Sequence, residues 1–108
     1  MFAEQRFEVD VEHGEEAITL VVHGEIDIAT VPRLKLVRDG LLEGDTPREL
    51  VIDLRPVSFI DSNGLRFLLD CHRLSLDADW GLKLVRPSEQ VMRVFEITGA
   101  ERHLPFVE

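Results

Sequence analysis

A single cysteine, Cys71, stands in the 108 residues, so no disulfide can close within the chain and stability must come from a packed core. Its neighbours Leu68, Leu69 and Leu74 mark it as a small core filler rather than a reactive thiol. Also missing is any uninterrupted apolar run of about 18 residues, the length a membrane-spanning helix needs. The start Met1-Phe2-Ala3-Glu4-Gln5-Arg6 lacks the basic and then apolar order of a secretory signal. A cytoplasmic protein without membrane contact is the expectation. Positive charge is scarce: 12 Lys and Arg stand against 21 Asp and Glu, a formal net charge of −9. A polyanion would be repelled, and no basic stripe with interleaved aromatics offsets this, so nucleic-acid binding is disfavoured. The acidity is concentrated in residues 1–50, with 12 acids and 5 bases, against 9 and 7 in residues 51–108. Such a surface serves solubility, or steers the chain toward a basic patch on a protein partner.

Catalytic signatures are absent as well. His13, His23, His72 and His103 are scattered, with no cysteine partner and no i, i+4 pair, which leaves metal ligation without support. Ser62 does not lie in a Gly-x-Ser-x-Gly elbow, and no Gly-x-x-x-x-Gly-Lys-Ser/Thr loop cradles nucleotide phosphates. Asp53, Asp61 or His72 are conceivable acid/base groups, but no pattern brings two such groups into one cleft. The sequence therefore assigns no catalytic residue, no metal and no cofactor, and a non-enzyme is expected.

What is present is a regular alternation of strand and helix patterns over one domain, residues 1–108. Phe7, Val9 and Val11 alternate with Glu8, Asp10 and Glu12, the two-residue period of a strand with one wet face and a charged, guarded edge. After the His13-Gly14-Glu15 turn, Ala17 to Val22 is β-branched and nearly all apolar, a more central strand pairing back as a hairpin. Gly24 ends that run. Thr30 and Pro32 resemble a helix start, with Leu34, Val37 and Leu41 at helical spacing before Gly44-Asp45-Thr46-Pro47 stops the helix. Leu50 to Leu54 is a further strand. A second helix presents Leu65, Leu68, Leu69, His72 and Leu76 along one stripe. Leu82, Leu84 and Val85 form a last strand, Ser88 caps a last helix carrying Val91, Val94, Phe95 and Thr98 on one face, and Gly99 ends it. The order β-β-α-β-α-β-α predicts an α/β domain: a four-stranded mixed sheet with an antiparallel N-terminal edge strand and packed helices.

The most informative run is Ser58-Phe59-Ile60-Asp61-Ser62-Asn63-Gly64-Leu65, where an apolar strand gives way to a helix. The first backbone N–H groups of a helix lack intrahelical partners and tolerate a phosphate. Either Ser62 or Asp61 suits the N-cap, and from spacing alone a cap is the commoner duty of a serine at a helix start than a phosphoacceptor. Asp61, Ser62, Gly64 and Leu65 resemble the Asp-Ser-(Ser/Thr)-Gly-Leu/Ile motif of STAS domains of the anti-sigma-factor-antagonist type, with Asn63 departing from the pattern. The resemblance extends along most of the chain. Gly24-Glu25-Ile26-Asp27 is similar to the family segment that leads into the first helix, and Val51-Ile52-Asp53-Leu54 to the strand before the motif. Leu82 to Ser88 and Val91 to Gly99 resemble the last strand and helix.

The resemblance implies an antagonist that, when unphosphorylated, binds an anti-sigma factor with serine-kinase activity and so frees a sigma factor. That partner is an ATP-binding kinase with a histidine-kinase-like fold. It would phosphorylate Ser62 and switch binding off, and a serine phosphatase would restore it. Asp61, Ser62, Asn63 and Gly64 would belong to the partner surface. Glu25 and Asp27, matching the family's acidic pair, would either extend that surface or complement a helix dipole. Asn63 offers a short hydrogen-bonding side chain but cannot be phosphorylated. Two alternatives stand beside this reading. One is a STAS accessory or scaffold subunit of a transport or stress-sensing complex, without a phospho-switch; the other is a receiver-like phosphoacceptor at Asp53, followed by Leu54-Arg55-Pro56.

Overall fold

The computed structural model describes residues 6–44 and 47–107. Met1 to Gln5 and the Asp45-Thr46 part of the helix stop therefore lie outside the described residues. The spine is Ala17–Ile26 (β2), a ten-residue strand in which Ile18, Leu20, Val22, Gly24 and Ile26 are all buried. This strict alternation places one face of the strand in the core, as its β-branched residues favour. Glu8–His13 (β1) pairs antiparallel along β2 from Glu8↔His23 to His13↔Ile18, closed by the Gly14 N–H donating to the Ala17 carbonyl at 2.8 Å. The predicted hairpin and edge strand are both present.

Glu49–Asp53 (β3) runs parallel to the first half of β2, from Ala17↔Glu49 to Val21↔Asp53. Val57–Ile60 (β4) then runs parallel to its second half, with Gly24↔Val57 and Ile26↔Ile60. Gly81–Val85 (β5) lies parallel beside β3, and Phe106–Val107 (β6) beside β5. The sheet is thus mixed, as expected, but has six strands instead of four, in the order β1-β2-β3-β5-β6 with β4 on β2. β4 and β6 are four and two residues long, too short for a period-2 signal to stand out.

Gly24 does not end β2. Its φ is +98°, and the register with β4 shifts between Gly24 and Glu25 because Ser58 is an extra residue, a bulge, on β4; β2 itself keeps its alternation and continues to Ile26. A β-carbon there would stand 2.9 Å from the Arg6 carbonyl oxygen, so both backbone angle and space require glycine. Pairing with β4 carries β2 on to the end of the sheet where the candidate site lies.

Three helices connect the strands: Val31–Glu43 (α1), Ser62–Ala78 (α2) and Glu89–Thr98 (α3). Leu34 from α1, Phe67 and Leu68 from α2 and Phe95 from α3 join Leu20, Val22, Ile52 and Leu84 of the sheet in one hydrophobic cluster. Ser88 accepts from the Val91 N–H, and Gly99 closes α3 at φ +80°. Thr98, expected on the buried face, is exposed, and its hydroxyl donates to the Val94 carbonyl at 2.7 Å.

The inner face of α2 differs from the expected stripe. Gly64, Leu65, Phe67, Leu68, Cys71 and Ser75 are buried, whereas Leu69 and Leu76 are exposed and His72 is half-buried. Residues 64, 67, 68, 71 and 75 follow the 3,4 spacing of a core-facing helix, and leucines placed one step round the helix mimic it in sequence. Cys71 is fully buried, with its Sγ 3.7 Å from an Arg38 guanidinium nitrogen. Burial pushes the thiol up to about 11 against the pull of Arg38, which makes it the inert core cysteine expected.

Candidate functional site at the start of the second helix

Two backbone contacts join the end of β2 to the entrance of α2. Gly24 N–H donates to the Pro56 carbonyl at 3.3 Å, and Asp61 N–H to the Ile26 carbonyl at 3.2 Å. The Glu25-to-Thr30 segment and the Asp61-to-Gly64 corner are thereby brought to one end of the sheet, although they lie more than thirty residues apart in sequence.

Asp61 is the N-cap of α2. Its extended backbone, φ −109° and ψ −172°, lets Oδ1 accept from the Asn63 N–H at 2.8 Å and the Gly64 N–H at 3.1 Å. Asn63 Nδ2 also donates to Asp61 Oδ2 at 3.4 Å. The carboxylate thus satisfies two of the orphan donors at the helix start and meets the positive end of its dipole. Ser62 is consequently the first helical residue, not the cap, and its side chain is exposed. The choice left open by sequence is resolved: the hydroxyl at position 62 has no capping duty.

Gly64 is buried beneath this turn. A β-carbon would lie 2.5 Å from Ile60 Cγ1, 2.8 Å from Ile26 Cγ2 and 2.9 Å from the Ile26 carbonyl oxygen. Glycine therefore lets the helix start sit directly on the ends of β2 and β4. Its part in the corner is this close approach, while Asp61, Ser62 and Asn63 form the surface.

Asp27 has a clear architectural role. Its Oδ1 accepts from the Ala29 N–H at 2.9 Å and the Thr30 N–H at 3.1 Å, an Asx turn into α1. Thr30 Oγ1 donates to the Glu25 carbonyl at 2.8 Å and accepts from the Asp27 N–H at 2.9 Å. The side chain of Glu25 is exposed. The turn also displays Ile28, 73% exposed, and Phe59, the register partner of Glu25 on β4, is 49% exposed. Neither apolar residue was singled out from sequence. Ile28 carries a readable signal, an aliphatic side chain inside a turn, but Phe59 sits in an apolar strand and only the bulge decides that it faces outward.

Asp53 is differently placed. It is buried at the end of β3, and Arg55 grips it with Nε 3.0 and 3.2 Å from the two carboxylate oxygens and Nη2 2.7 Å from Oδ2. The Arg55 N–H adds a bond at 3.0 Å. Hydrogen bonding to this guanidinium holds the Asp53 carboxyl below the ordinary carboxylate range, against the opposing effect of burial. A carboxylate so occupied is a structural clamp, and no group of three acids, histidines or cysteines able to hold a metal ion occurs among the described residues. The receiver-like reading of Asp53, which needs free carboxylates around a magnesium ion, therefore loses its footing. His72 lies on the outer side of α2, outside the Ser62 corner.

Comparison with known proteins agrees with this geometry. Residues 8–108 match the STAS domain family. The anti-sigma-B factor antagonist of Bacillus subtilis (strain 168) is 35% identical over 91 residues, covering 84% of this chain and 82% of that protein. An anti-sigma factor antagonist from Mycobacterium paratuberculosis superposes with a TM-score of 0.81 at 29% identity, covering 98% of this chain and 89% of the other. The anti-sigma factor antagonist SpoIIAA in its unphosphorylated form shares the fold, with a TM-score of 0.75 at 19% identity, covering 95% of this chain and 89% of its own. The chain belongs to the STAS domain family, and within it to the anti-sigma factor antagonist type.

Proposed function

We propose that this protein binds an anti-sigma factor through the corner formed by Glu25, Ile28, Phe59, Asp61, Ser62 and Asn63, and that phosphorylation of Ser62 breaks the complex. The observation that carries the reading is the division of labour at the helix start: Asp61 caps, and Ser62 stands exposed as a free acceptor. Two exposed apolar side chains beside it give a partner something to bury. The names of the relatives support the choice of partner.

In the transfer step Ser62 Oγ attacks the γ-phosphorus of ATP bound to the partner kinase. An O–P bond forms to the serine, the bond to ADP breaks, and the hydroxyl proton passes to a base of the kinase. This chain is the substrate and supplies no base of its own. The new group adds a charge of about −1.5 to −2 next to Asp61, whose carboxylate already holds the nearby amides. A phosphate at a docking surface is costly to desolvate, on the order of several kcal/mol, so affinity falls about a hundredfold while the fold persists. A serine phosphatase returns the chain to its binding form.

Intact-mass analysis after incubation with candidate anti-sigma factor kinases and Mg-ATP, followed by peptide mapping, tests this. One phosphoryl group on Ser62, absent from Ser62→Ala, is expected. Ser62→Asp is expected to bind about a hundredfold more weakly with unchanged circular dichroism. Tight binding by both forms with no phosphoryl transfer would instead indicate an accessory or scaffold subunit without a switch.

A further inference from the structure

The stripe that sequence placed in the core, Leu69, His72 and Leu76, is the part of α2 that the Ser62 corner does not use. In the structure it forms one wall of a shallow trough of about 500 Å³, closed on the other side by Arg102, His103, Leu104 and Pro105. Leu69 is 37% and Leu76 71% exposed. Residues 69, 72 and 76 recur at the 3,4 spacing by which one helix packs against another. Helix α2 therefore carries two apolar stripes, one filling the core and one without a partner in this chain.

The rim of the trough is basic in an acidic molecule. Arg73 and Arg102 flank it, both exposed, with His72 and His103 between. Arg73 reaches Asp70 at 3.3 Å in an exposed i, i+3 pair, which contributes little. Arg102 and His103 make no ion pair among the described residues. Against a net charge of −9 this is a local reversal of sign over an apolar floor. We infer that the Leu69–Leu76 trough docks an acidic amphipathic helix of a partner protein, its apolar residues between the leucines and its carboxylates on Arg73 and Arg102. Helix-in-groove recognition uses this combination of spaced apolar anchors and charged flanks. Leu69 and Leu76 follow Ser62 at intervals of seven residues, so the trough starts about 10 Å farther along the same side of the helix. It is a second contact whose chemistry does not depend on phosphorylation.

The test uses the full chain and a labelled helical peptide with leucines at i, i+3 and i+7 and glutamates on its flanks, beside the same peptide with lysines for the glutamates. By fluorescence anisotropy at low salt the glutamate peptide is expected to bind at least tenfold tighter than the lysine peptide. Amide shift changes should centre on residues 69–76 and 102–105. Leu76→Glu and Arg102→Glu, both at exposed positions, should each weaken binding at least fivefold, while Ser62→Asp leaves it within twofold. Equal binding of the two peptides, absence of binding, or shifts centred elsewhere would overturn the inference. So would self-association of the free chain that Leu76→Glu abolishes, because the occupant would then be a second copy, and so would preferential binding to anionic phosphatidylglycerol vesicles.

Discussion

Asp61 and Ser62 show how one position separates a structural task from a chemical one. Aspartate in an extended conformation reaches the N–H groups two and three residues ahead, which the first helical residue cannot do. Asp61→Ala is expected to lower stability by about 1 kcal/mol in urea unfolding, with Asp61→Asn retaining most of it, because either side-chain oxygen caps. Gly64→Ala is the more severe change. Its β-carbon meets Ile26 and Ile60 below 3 Å, including backbone, and an overpacked site of this kind costs about 1–3 kcal/mol. The same measurement should show Gly64→Ala less stable than Asp61→Ala. The Asp-Ser-x-Gly motif could be read from sequence as a local pattern, but not which residue capped. That depends on the backbone angles at residue 61, which the pairing of β4 with β2 imposes.

At the scale of elements, α2 has the most to say. Its sequence offers leucines at 65, 68, 69, 74 and 76, enough to draw more than one plausible apolar stripe. The sheet selects the one containing Phe67, Leu68 and Cys71. Phe67→Ala should therefore destabilise the fold by about 3–5 kcal/mol, whereas Leu76→Glu, at 71% exposure, should change thermal stability by no more than about 0.5 kcal/mol. Equal losses would mean that the outer stripe is a core stripe after all. The β1–β2 hairpin, the α1 start at Thr30 and the capped α3 were readable because each rests on local chemistry: alternation, a proline in the first turn, a serine cap and a left-handed glycine. β6 was not, being two residues long, and although Ser58 to Ile60 reads as an apolar strand, its place on β2 was not legible, since that partner is distant in sequence. Gly24 misled for a related reason. A glycine ends a strand or lies within it according to what pairs beside it, and here β4 does.

Over the whole molecule, one clamp makes a pH-dependent contribution to stability. Asp53 is held below its ordinary pKa chiefly by hydrogen bonds from Arg55, so the unfolded chain binds its proton more readily than the folded one. The stabilisation is complete above the unfolded value and is lost as pH falls through the depressed folded value. Unfolding free energy measured from about pH 5 to about pH 2 should decline less steeply for Asp53→Asn than for the parent; an unchanged slope would remove the clamp from the account. The amino-acid order alone settled the alternation of strand and helix, the acidic surface and the family of the chain, because periodicity, turn chemistry and a short motif are all local properties. Folding in three dimensions settled which oxygen caps α2, which stripe of that helix is buried, and that Glu25, Ile28, Phe59 and Ser62 share one end of the sheet. Those outcomes depend on register between distant strands, where a shift of one residue exchanges inside for outside.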